Sequence, residues 1–300
     1  MKKIELYEVG PRDGFQNVPE YIPLETKIQI IDGLVDAGIR HLQITSFVSP
    51  KAIPQMKDAV ALAEHCLVHH PGLDFLALVP NWRGAQTASE TGIRHVSYVV
   101  SLSESHNQAN IRRTHEESLA DLTRILADFP KLDVCLDLAT AFGCPFEGKK
   151  TEKQVVEFLK PYIDLGIQTV NLCDTIGIAN PAQVRRTLSL VRELYPALDL
   201  QIHIHDTRNM GMANTLAAIE WGVDKVQSTL GGLGGCPFAP GASGNLATED
   251  LAFMLSEMGY ELDVDIKKLV EVARDQVRAI PAALYSGHLY KVEEKSHELN

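Results

Sequence analysis

Two histidines separated by one residue are the strongest local sign of chemistry in this sequence. His203 and His205 lie in the apolar run Leu200–Asp206, which is typical of a β-strand. Side chains two positions apart on a strand point to the same face, so both imidazoles can bind one metal ion. A hydrogen-bonded pair of histidines without a ligand is the alternative. We favour the metal site, to which Asp13, after the first apolar run, could add an oxygen ligand.

The donor types indicate which ion would bind. A carboxylate and two imidazoles, completed by an amide or water oxygen, suit Mg²⁺ or Mn²⁺, with Co²⁺, Fe²⁺ and Zn²⁺ as substitutes. Because the group contains no thiolate, a structural zinc site is not expected. Arg12 directly precedes Asp13. It is either a surface arginine or a buried guanidinium that stabilises an anion, such as a substrate oxygen or a developing enolate.

A glycine-rich segment, residues 231–244, contains a single cysteine, Cys236. Glycine brings low bulk and unusual backbone angles, which suit a loop that moves over a ligand. Cys236 is either a small loop residue or, beside a metal, a thiol of lowered pKa that transfers a proton. We favour proton transfer. Cys135 and Cys173 lie within predicted strands and are expected to pack in the core.

Short apolar runs of β type recur along the chain, and an amphipathic helical stretch follows each of them. The eight predicted strands are Ile4–Val9, His41–Thr45, Asp74–Val79, His95–Ser101, Asp133–Ala139, Thr169–Asp174, Leu200–Asp206 and Lys225–Leu230. The eight predicted helices lie near Leu24–Ala37, Gln55–His65, Trp82–Thr91, Glu116–Phe129, Glu152–Leu165, Pro181–Tyr195, Met210–Trp221 and Leu246–Met258. Eight strand–helix units over about 255 residues match a (β/α)₈ TIM barrel.

A doubly wound open sheet shows the same alternation of strands and helices and is the second possibility. No GxGxxG motif follows the first predicted strand, where a dinucleotide-binding fold would place one, so we expect the barrel. The barrel should extend over about residues 1–260 and a C-terminal helical extension over about 261–300, in a single domain. In this fold the carboxyl ends of the strands build the active site. Asp13 and the two histidines lie at such ends.

Charge and composition exclude several classes of protein. With a net charge of −11, the chain has no basic field to attract nucleic acid or an acidic membrane, and no apolar stretch is long enough to span a bilayer. The N-terminal residues turn acidic at once and predict a strand, not a signal peptide. Five cysteines without a CxxC pair are typical of a reducing compartment. We therefore expect a cytoplasmic protein with no nucleic-acid or membrane partner.

Four segments of the chain resemble the 3-hydroxy-3-methylglutaryl-CoA (HMG-CoA) lyase family. They are GPRDGFQN (residues 10–17), TSFVSPK (45–51), CDTIG (173–177) and the run at 231–250. GPRDG is shared with related barrel lyases, aldolases and acyl-CoA-using synthases, so it indicates only the superfamily. GLGGCPFAPGASGN (232–245) is similar to the cysteine loop of the lyases and is much more specific. The resemblance covers nearly the whole chain.

This resemblance implies a role for each candidate residue. The metal ligands that it implies are Asp13, His203, His205 and Asn245. It also implies that Arg12 stabilises the enolate of the departing acetyl-CoA and that Cys236 takes part in proton transfer. Asp174 and Glu249 match acidic residues that support the site. The family further implies a divalent metal cofactor, an acyl-CoA substrate and a homodimer.

One position departs from the family. The lyases usually have a glutamate in the second strand, within Glu-Thr-Thr-Ser-Phe, where this chain has Gln43 in Gln-Ile-Thr-Ser-Phe. A neutral amide keeps the hydrogen-bonding shape but removes a charge beside Arg12 and the metal. We expect HMG-CoA as the substrate, cleaved to acetyl-CoA and acetoacetate. The alternatives are the same cleavage of a longer 3-hydroxyglutaryl-CoA or a citramalyl-type thioester, and a barrel that binds metal or acyl-CoA without turnover.

Overall fold

The computed structural model describes residues 2–235 and 244–292. Eight parallel strands form a closed barrel with helices between them, which confirms the predicted TIM barrel. Around the ring these strands are β1 (Glu5–Glu8), β2 (His41–Ser46), β3 (Asp74–Val79), β4 (His95–Ser101), β5 (Asp133–Ala139), β8 (Thr169–Asp174), β9 (Asp199–Ile204) and β10 (Lys225–Ser228). The ring closes where β10 pairs with β1. A short hairpin follows β5 and consists of β6 (Gly143–Cys144) and β7 (Gly148–Lys149).

Helices follow the barrel strands along the chain. They are α1 (Leu24–Asp36), α2 (Ala59–His69), α3 (Trp82–Thr91), α4 (Glu104–Ile111), α5 (His115–Asp128), α6 (Glu152–Asp164), α7 (Pro181–Leu194), α8 (Gly211–Trp221), α9 (Thr248–Glu257) and α10 (Ile266–Ala279). Within the two described ranges, no helix has both the length and the apolar composition needed to cross a membrane.

The predicted elements agree with the structure where the sequence pattern is strong. β3, β4, β5 and β8 have the predicted bounds, because a continuous apolar run marks a strand that is covered on both faces. The second helix is displaced from its predicted position near 55–65, since Pro54 opens a separate 3₁₀ turn and α2 begins only at Ala59. The pattern does not predict α4, whose polar sequence has no apolar stripe. Its N-cap is Ser103, which accepts a hydrogen bond from the N–H of His106.

The interior of the barrel is polar, whereas the apolar core fills the layer between strands and helices. Asp137 on β5, Asn171 on β8 and Gln201 on β9 lie side by side in the strand register and are buried. Their chain neighbours Leu136 and Leu172 belong to the apolar core. Branched apolar residues usually fill a TIM barrel. Because buried polar groups need hydrogen-bond partners, the inward side chains here form a network below the mouth of the barrel.

The C-terminal extension is hydrogen-bonded to the residues on either side of the glycine-rich segment. Helix α10 lies in the predicted extension, and its side chain Gln276 is fully buried. Gln276 donates a hydrogen bond of 2.9 Å to the carbonyl of Leu230. Farther along, the hydroxyl of Ser286 donates to the carbonyl of Asn245 over 2.8 Å. The extension therefore holds the chain on both sides of the segment that carries Cys236.

Candidate active site

A cavity of about 160 Å³ opens at the carboxyl ends of the barrel strands. Its wall includes Arg12, Asp13, His203, His205 and Gln227, all of which are buried. Arg12 and Asp13 follow β1, the histidines lie at the end of β9, and Gln227 lies on β10. Closure of the barrel thus brings the chain's first and last strands together around one polar space.

A wide turn after β1, Gly10–Gly14, aims Arg12 and Asp13 into the cavity. Pro11 lies at the start of this turn, where a backbone N–H would have no partner within the turn, so proline loses no hydrogen bond there. The N–H of Asp13 reaches back to the carbonyl of Val9 over 2.7 Å. Because the turn is closed in this way, the side chains of Arg12 and Asp13 project inward, and only 8% of each residue is exposed.

Glu8 joins this turn to the segment that follows β10 on the other side of the barrel seam, a role that the sequence pattern does not reveal. Its carboxylate accepts hydrogen bonds from the N–H of Gly10 (2.8 Å), the N–H of Leu230 (2.9 Å) and the hydroxyl of Thr248 (2.5 Å). Complete burial raises the pKa of Glu8 to about 7, although these three donors oppose the rise. Glu8 does not line the cavity, so it supports the site from behind.

Asp13, His203 and His205 form a group that can hold one metal ion. Oδ2 of Asp13 lies 4.0 Å from Nε2 of His203 and 4.0 Å from Nε2 of His205, and the two Nε2 atoms are 3.1 Å apart. One ligand atom from each residue fits within 4.8 Å of the others. In the described residues this is the one group of three or more histidine, cysteine or acidic side chains that meets this spacing. The geometry therefore suits a single shared cation.

Asn245 adjoins this group through its backbone and its side chain. It forms an isolated bridge with His205, and its side-chain amide donates to Oδ2 of Asp13 over 2.7 Å. The amide oxygen Oδ1 is buried and makes no hydrogen bond. A buried acceptor without a donor costs free energy unless a ligand satisfies it. A divalent cation would do so, and the residues present fit such an ion.

The charge states of the group suit metal binding. Burial would raise the pKa of Asp13, but its other interactions, of which the positive charge of Arg12 is the largest, outweigh burial and lower this pKa to about 2. Burial lowers the pKa of His205 to about 4, so its ring is neutral. Nδ1 of His203 lies 2.9 Å from the side-chain oxygen of Gln227, so Nδ1 carries the hydrogen and Nε2 keeps its lone pair. A carboxylate and neutral imidazoles are the forms that bind metal ions.

Arg12 is held in one orientation by two partners. Its Nε donates to the side-chain oxygen of Gln43, and its Nη1 donates to Oδ1 of Asp13 over 2.5 Å. The amide nitrogen of Gln43 donates in turn to the hydroxyl of Ser97 over 2.8 Å. Gln43 is almost completely buried, with 1% exposed. The neutral amide that departs from the family pattern therefore uses both its oxygen and its nitrogen in hydrogen bonds.

The cavity wall contains residues that sequence reasoning misses. Asp137, His106 and Asn110 line it opposite the metal group, and so does Cys173. The interpretation of Cys173 as a packing residue is therefore wrong, since Cys173 alternates with Leu172 and faces inward. A polar residue inside an apolar strand run, as at Asp137, is the one sequence signal that could have found this wall.

The acidic residues Asp174 and Glu249 do not line the cavity. The carboxylate of Asp174 accepts from the N–H groups of Ile178 and Ala179, each over 3.0 Å, and so shapes the loop after β8. Glu249 accepts from the N–H of Gly231 over 2.8 Å at the start of the glycine-rich segment. Both residues therefore hold loops beside the cavity. Cys236 lies outside the residues that the structure describes.

Glu249 predicts a pH dependence of stability. Burial raises its pKa from an ordinary 4.5 to about 8. Between these values the folded chain holds more protons than the unfolded chain, so this carboxyl makes the free energy of unfolding fall as the pH rises. Glu249→Gln should remove that loss, and the variant should gain stability relative to wild type between about pH 5 and about pH 8.5 in urea denaturation. If the free energies of unfolding of wild type and variant ran parallel over this pH range, the prediction would be wrong. Glu257→Gln is the control, because Glu257 is exposed on the same helix.

The chain is similar to proteins of known activity over most of its length. The HMGL-like family model matches residues 3–275. Hydroxymethylglutaryl-CoA lyase YngG of Bacillus subtilis is 42% identical over 275 residues, covering 91% of this chain and 92% of that protein. The (R)-citramalyl-CoA lyase of Chloroflexus aurantiacus is 36% identical over 281 residues, covering 90% and 89%. The structure of an HMG-CoA lyase from Acinetobacter baumannii in complex with coenzyme A and 3-methylmalate has 39% identity and a TM-score of 0.92, covering 99% of this chain and 97% of that chain.

Proposed function

This chain belongs to the HMGL-like family, and we propose that it is a divalent-metal-dependent lyase that cleaves HMG-CoA into acetyl-CoA and acetoacetate. The observation that carries the proposal is that Asp13, His203 and His205 meet Arg12 in one buried cavity. Cleavage of the bond between carbons 2 and 3 requires a tertiary hydroxyl to lose its proton and a thioester enolate to be stabilised. A cation site serves the first requirement and a fixed guanidinium serves the second.

Four side chains hold the ion in this proposal. Asp13 supplies a carboxylate oxygen, His203 and His205 supply Nε2 atoms, and Asn245 supplies its unpaired amide oxygen. Oxygen and imidazole donors without thiolate favour Mg²⁺ or Mn²⁺. Bound there, a divalent cation is a Lewis acid that lowers the pKa of the substrate's tertiary hydroxyl.

The chain's own residues then move protons and offset charge. One of the groups around the cation, Asp13 or a histidine, accepts the hydroxyl proton. The carbon–carbon bond breaks, its electron pair passes to the thioester fragment as an enolate, and carbon 3 becomes a ketone. Arg12, oriented by Gln43 and Asp13, offsets the enolate's negative charge. Cys236 donates a proton to carbon 2, which yields acetyl-CoA.

The same cleavage of another branched thioester is the second candidate. Gln43 is neutral at a position where the family usually has a charged residue, and it touches Arg12 directly. One relative is an (R)-citramalyl-CoA lyase, and one solved relative binds coenzyme A and 3-methylmalate. A citramalyl-type thioester and a longer 3-hydroxyglutaryl-CoA therefore belong in the test beside HMG-CoA.

Release of acetyl-CoA from this panel, with and without EDTA, tests the function. We expect HMG-CoA to be cleaved, turnover to fall by at least about 100-fold after chelation, and Mg²⁺ or Mn²⁺ to restore it. EDTA presaturated with Mg²⁺ is the control for effects of the chelator itself. Faster cleavage of another thioester would favour the second candidate. If none of the thioesters is cleaved, the proposal is wrong, and a barrel that binds metal or acyl-CoA without turnover is the alternative that remains.

A further inference from the structure

Two carboxylates line the cavity among the described residues, and the proposed chemistry uses only one of them. Asp13 belongs to the cation site, whereas Asp137 lies on β5, across the cavity. Asp137 is 4% exposed. A carboxylate taken out of water at this depth is costly unless charges or donors compensate it. Its surroundings therefore indicate what it does.

A chain of side-chain hydrogen bonds joins Asp137 to Arg12. Arg12 donates to the oxygen of Gln43, so the amide nitrogen of Gln43 is left to donate to Ser97, at 2.8 Å. Because the oxygen of Ser97 accepts from Gln43, its own hydrogen is free to donate to Asp137 on the neighbouring strand, and this interaction opposes the rise in the pKa of Asp137. Asn171 donates to Oδ1 of Asp137 from the other side over 3.0 Å. Every donor in the chain therefore points toward Asp137.

These bond directions match an ionised Asp137, because a carboxylate accepts from both sides and donates nothing. Burial raises the pKa of Asp137, and the positive charge of Arg12 and the hydrogen bond from Asn171 oppose that rise. Gln43 and Ser97 are neutral, so within this chain of bonds the charge of Arg12 is balanced by Asp137 alone.

We propose that Asp137 is a positioning residue for Arg12: it supplies, through Ser97 and Gln43, the negative charge that Gln43 itself lacks. This inference rests on the proposed function, in which Arg12 offsets the enolate. When Asp13 shares its charge with a cation, Arg12 needs a second anionic partner. A carboxylate relayed by two neutral side chains meets that need. Hydrogen bonds in such a chain polarise one another, which tightens the hold on the guanidinium.

Moving the negative charge from position 137 to position 43 tests this inference. In the double variant Gln43→Glu with Asp137→Asn, the glutamate accepts from Arg12 and from Ser97. The new asparagine donates to Ser97 and accepts from Asn171, so every bond survives and only the two bonds of Ser97 reverse direction. Gln43→Glu alone places one carboxylate, at position 43, on one side of the Ser97 hydroxyl and a second, that of Asp137, on the other side. Asp137→Asn alone removes the negative charge. The amide of the new asparagine and the amide of Gln43 then both donate to the hydroxyl of Ser97. Each single variant should therefore be worse than the double.

Turnover and unfolding are measured on wild type, both single variants and the double. We expect each single variant to lower kcat by about 10- to 100-fold, the range for residues that orient a catalytic group, with a smaller change in KM. The double variant should recover to within about fivefold of wild type, and its unfolding midpoint in urea should lie closer to wild type than either single midpoint. Asp133→Asn, at the other end of β5, is the matched control and should neither lower kcat nor rescue Gln43→Glu.

Losses in the double variant that equal the combined losses of the singles, in both measurements, would overturn the inference. A purely structural role would give such additive losses, whereas a relayed charge gives recovery. If wild type cleaves no thioester, the proposed function fails, and the unfolding cycle still decides whether Gln43 and Asp137 share one charge. Recovery of the unfolding midpoint supports the link, and additive destabilisation refutes it.

Discussion

Replacing His203 by alanine is expected to lower turnover by about 10³-fold and to weaken metal binding in parallel. The imidazole offers Nε2 to the site at 4.0 Å from Asp13, and alanine offers no ligand atom in its place. A catalytic cation contributes several kcal/mol to the stabilisation of charge in the transition state, and each tenfold in rate corresponds to about 1.4 kcal/mol. Because the loss arises from the ion, high concentrations of Mg²⁺ or Mn²⁺ should restore part of the rate.

Titration of bound metal, together with kcat measured over a range of metal concentrations, checks this result. His95→Ala is the matched control: His95 lies on β4 at the other end of the barrel, where its Nδ1 is 3.1 Å from Asp133. That variant should bind metal as wild type does. Unchanged metal affinity in His203→Ala would remove this histidine from the proposed ligands and overturn the assignment of four ligands to the ion.

Replacing Arg12 by glutamine is expected to lower kcat by about 10²- to 10³-fold while metal affinity changes little. This is the usual loss when one donor to a developing oxyanion is removed. Arg12→Lys should recover only a small part of the rate, because a single ammonium cannot reproduce the planar fork that bonds Gln43 through Nε and Asp13 through Nη1. Arg12→Gln should therefore lower kcat and preserve metal affinity, whereas His203→Ala should lower both.

Steady-state kinetics and metal titration on the same preparations distinguish these two roles. Arg113→Gln is the control, since Arg113 also pairs with a carboxylate, Asp121, at 2.7 Å, but lies away from the cavity. It should lose stability without losing kcat. If Arg12→Gln turned over as fast as wild type, the guanidinium would be a structural partner of Asp13 and no more.

Much of the fold follows from local pattern. β3, β4, β5 and β8 have their predicted bounds because alternation and apolar runs are properties of neighbouring residues. The pairing of His203 with His205 is equally local, since any strand puts residues two apart on one face. The extra helix α4 and the position of α2 could not be predicted in this way, because a polar N-cap and a proline decide them against the hydrophobic period.

The residues of the candidate site also fall into those that the local pattern identifies and those that only the tertiary structure brings together. The sequence by itself determines a βα barrel and marks His203, His205, Asp13 and Arg12, because strand period and strand ends are encoded by adjacent residues. Only the tertiary structure decides that Asn245 reaches Asp13 across 232 positions of the chain, or that Arg12 and Asp137 line the same cavity. These contacts depend on the closure and register of the ring, which set distances between residues that no local period relates.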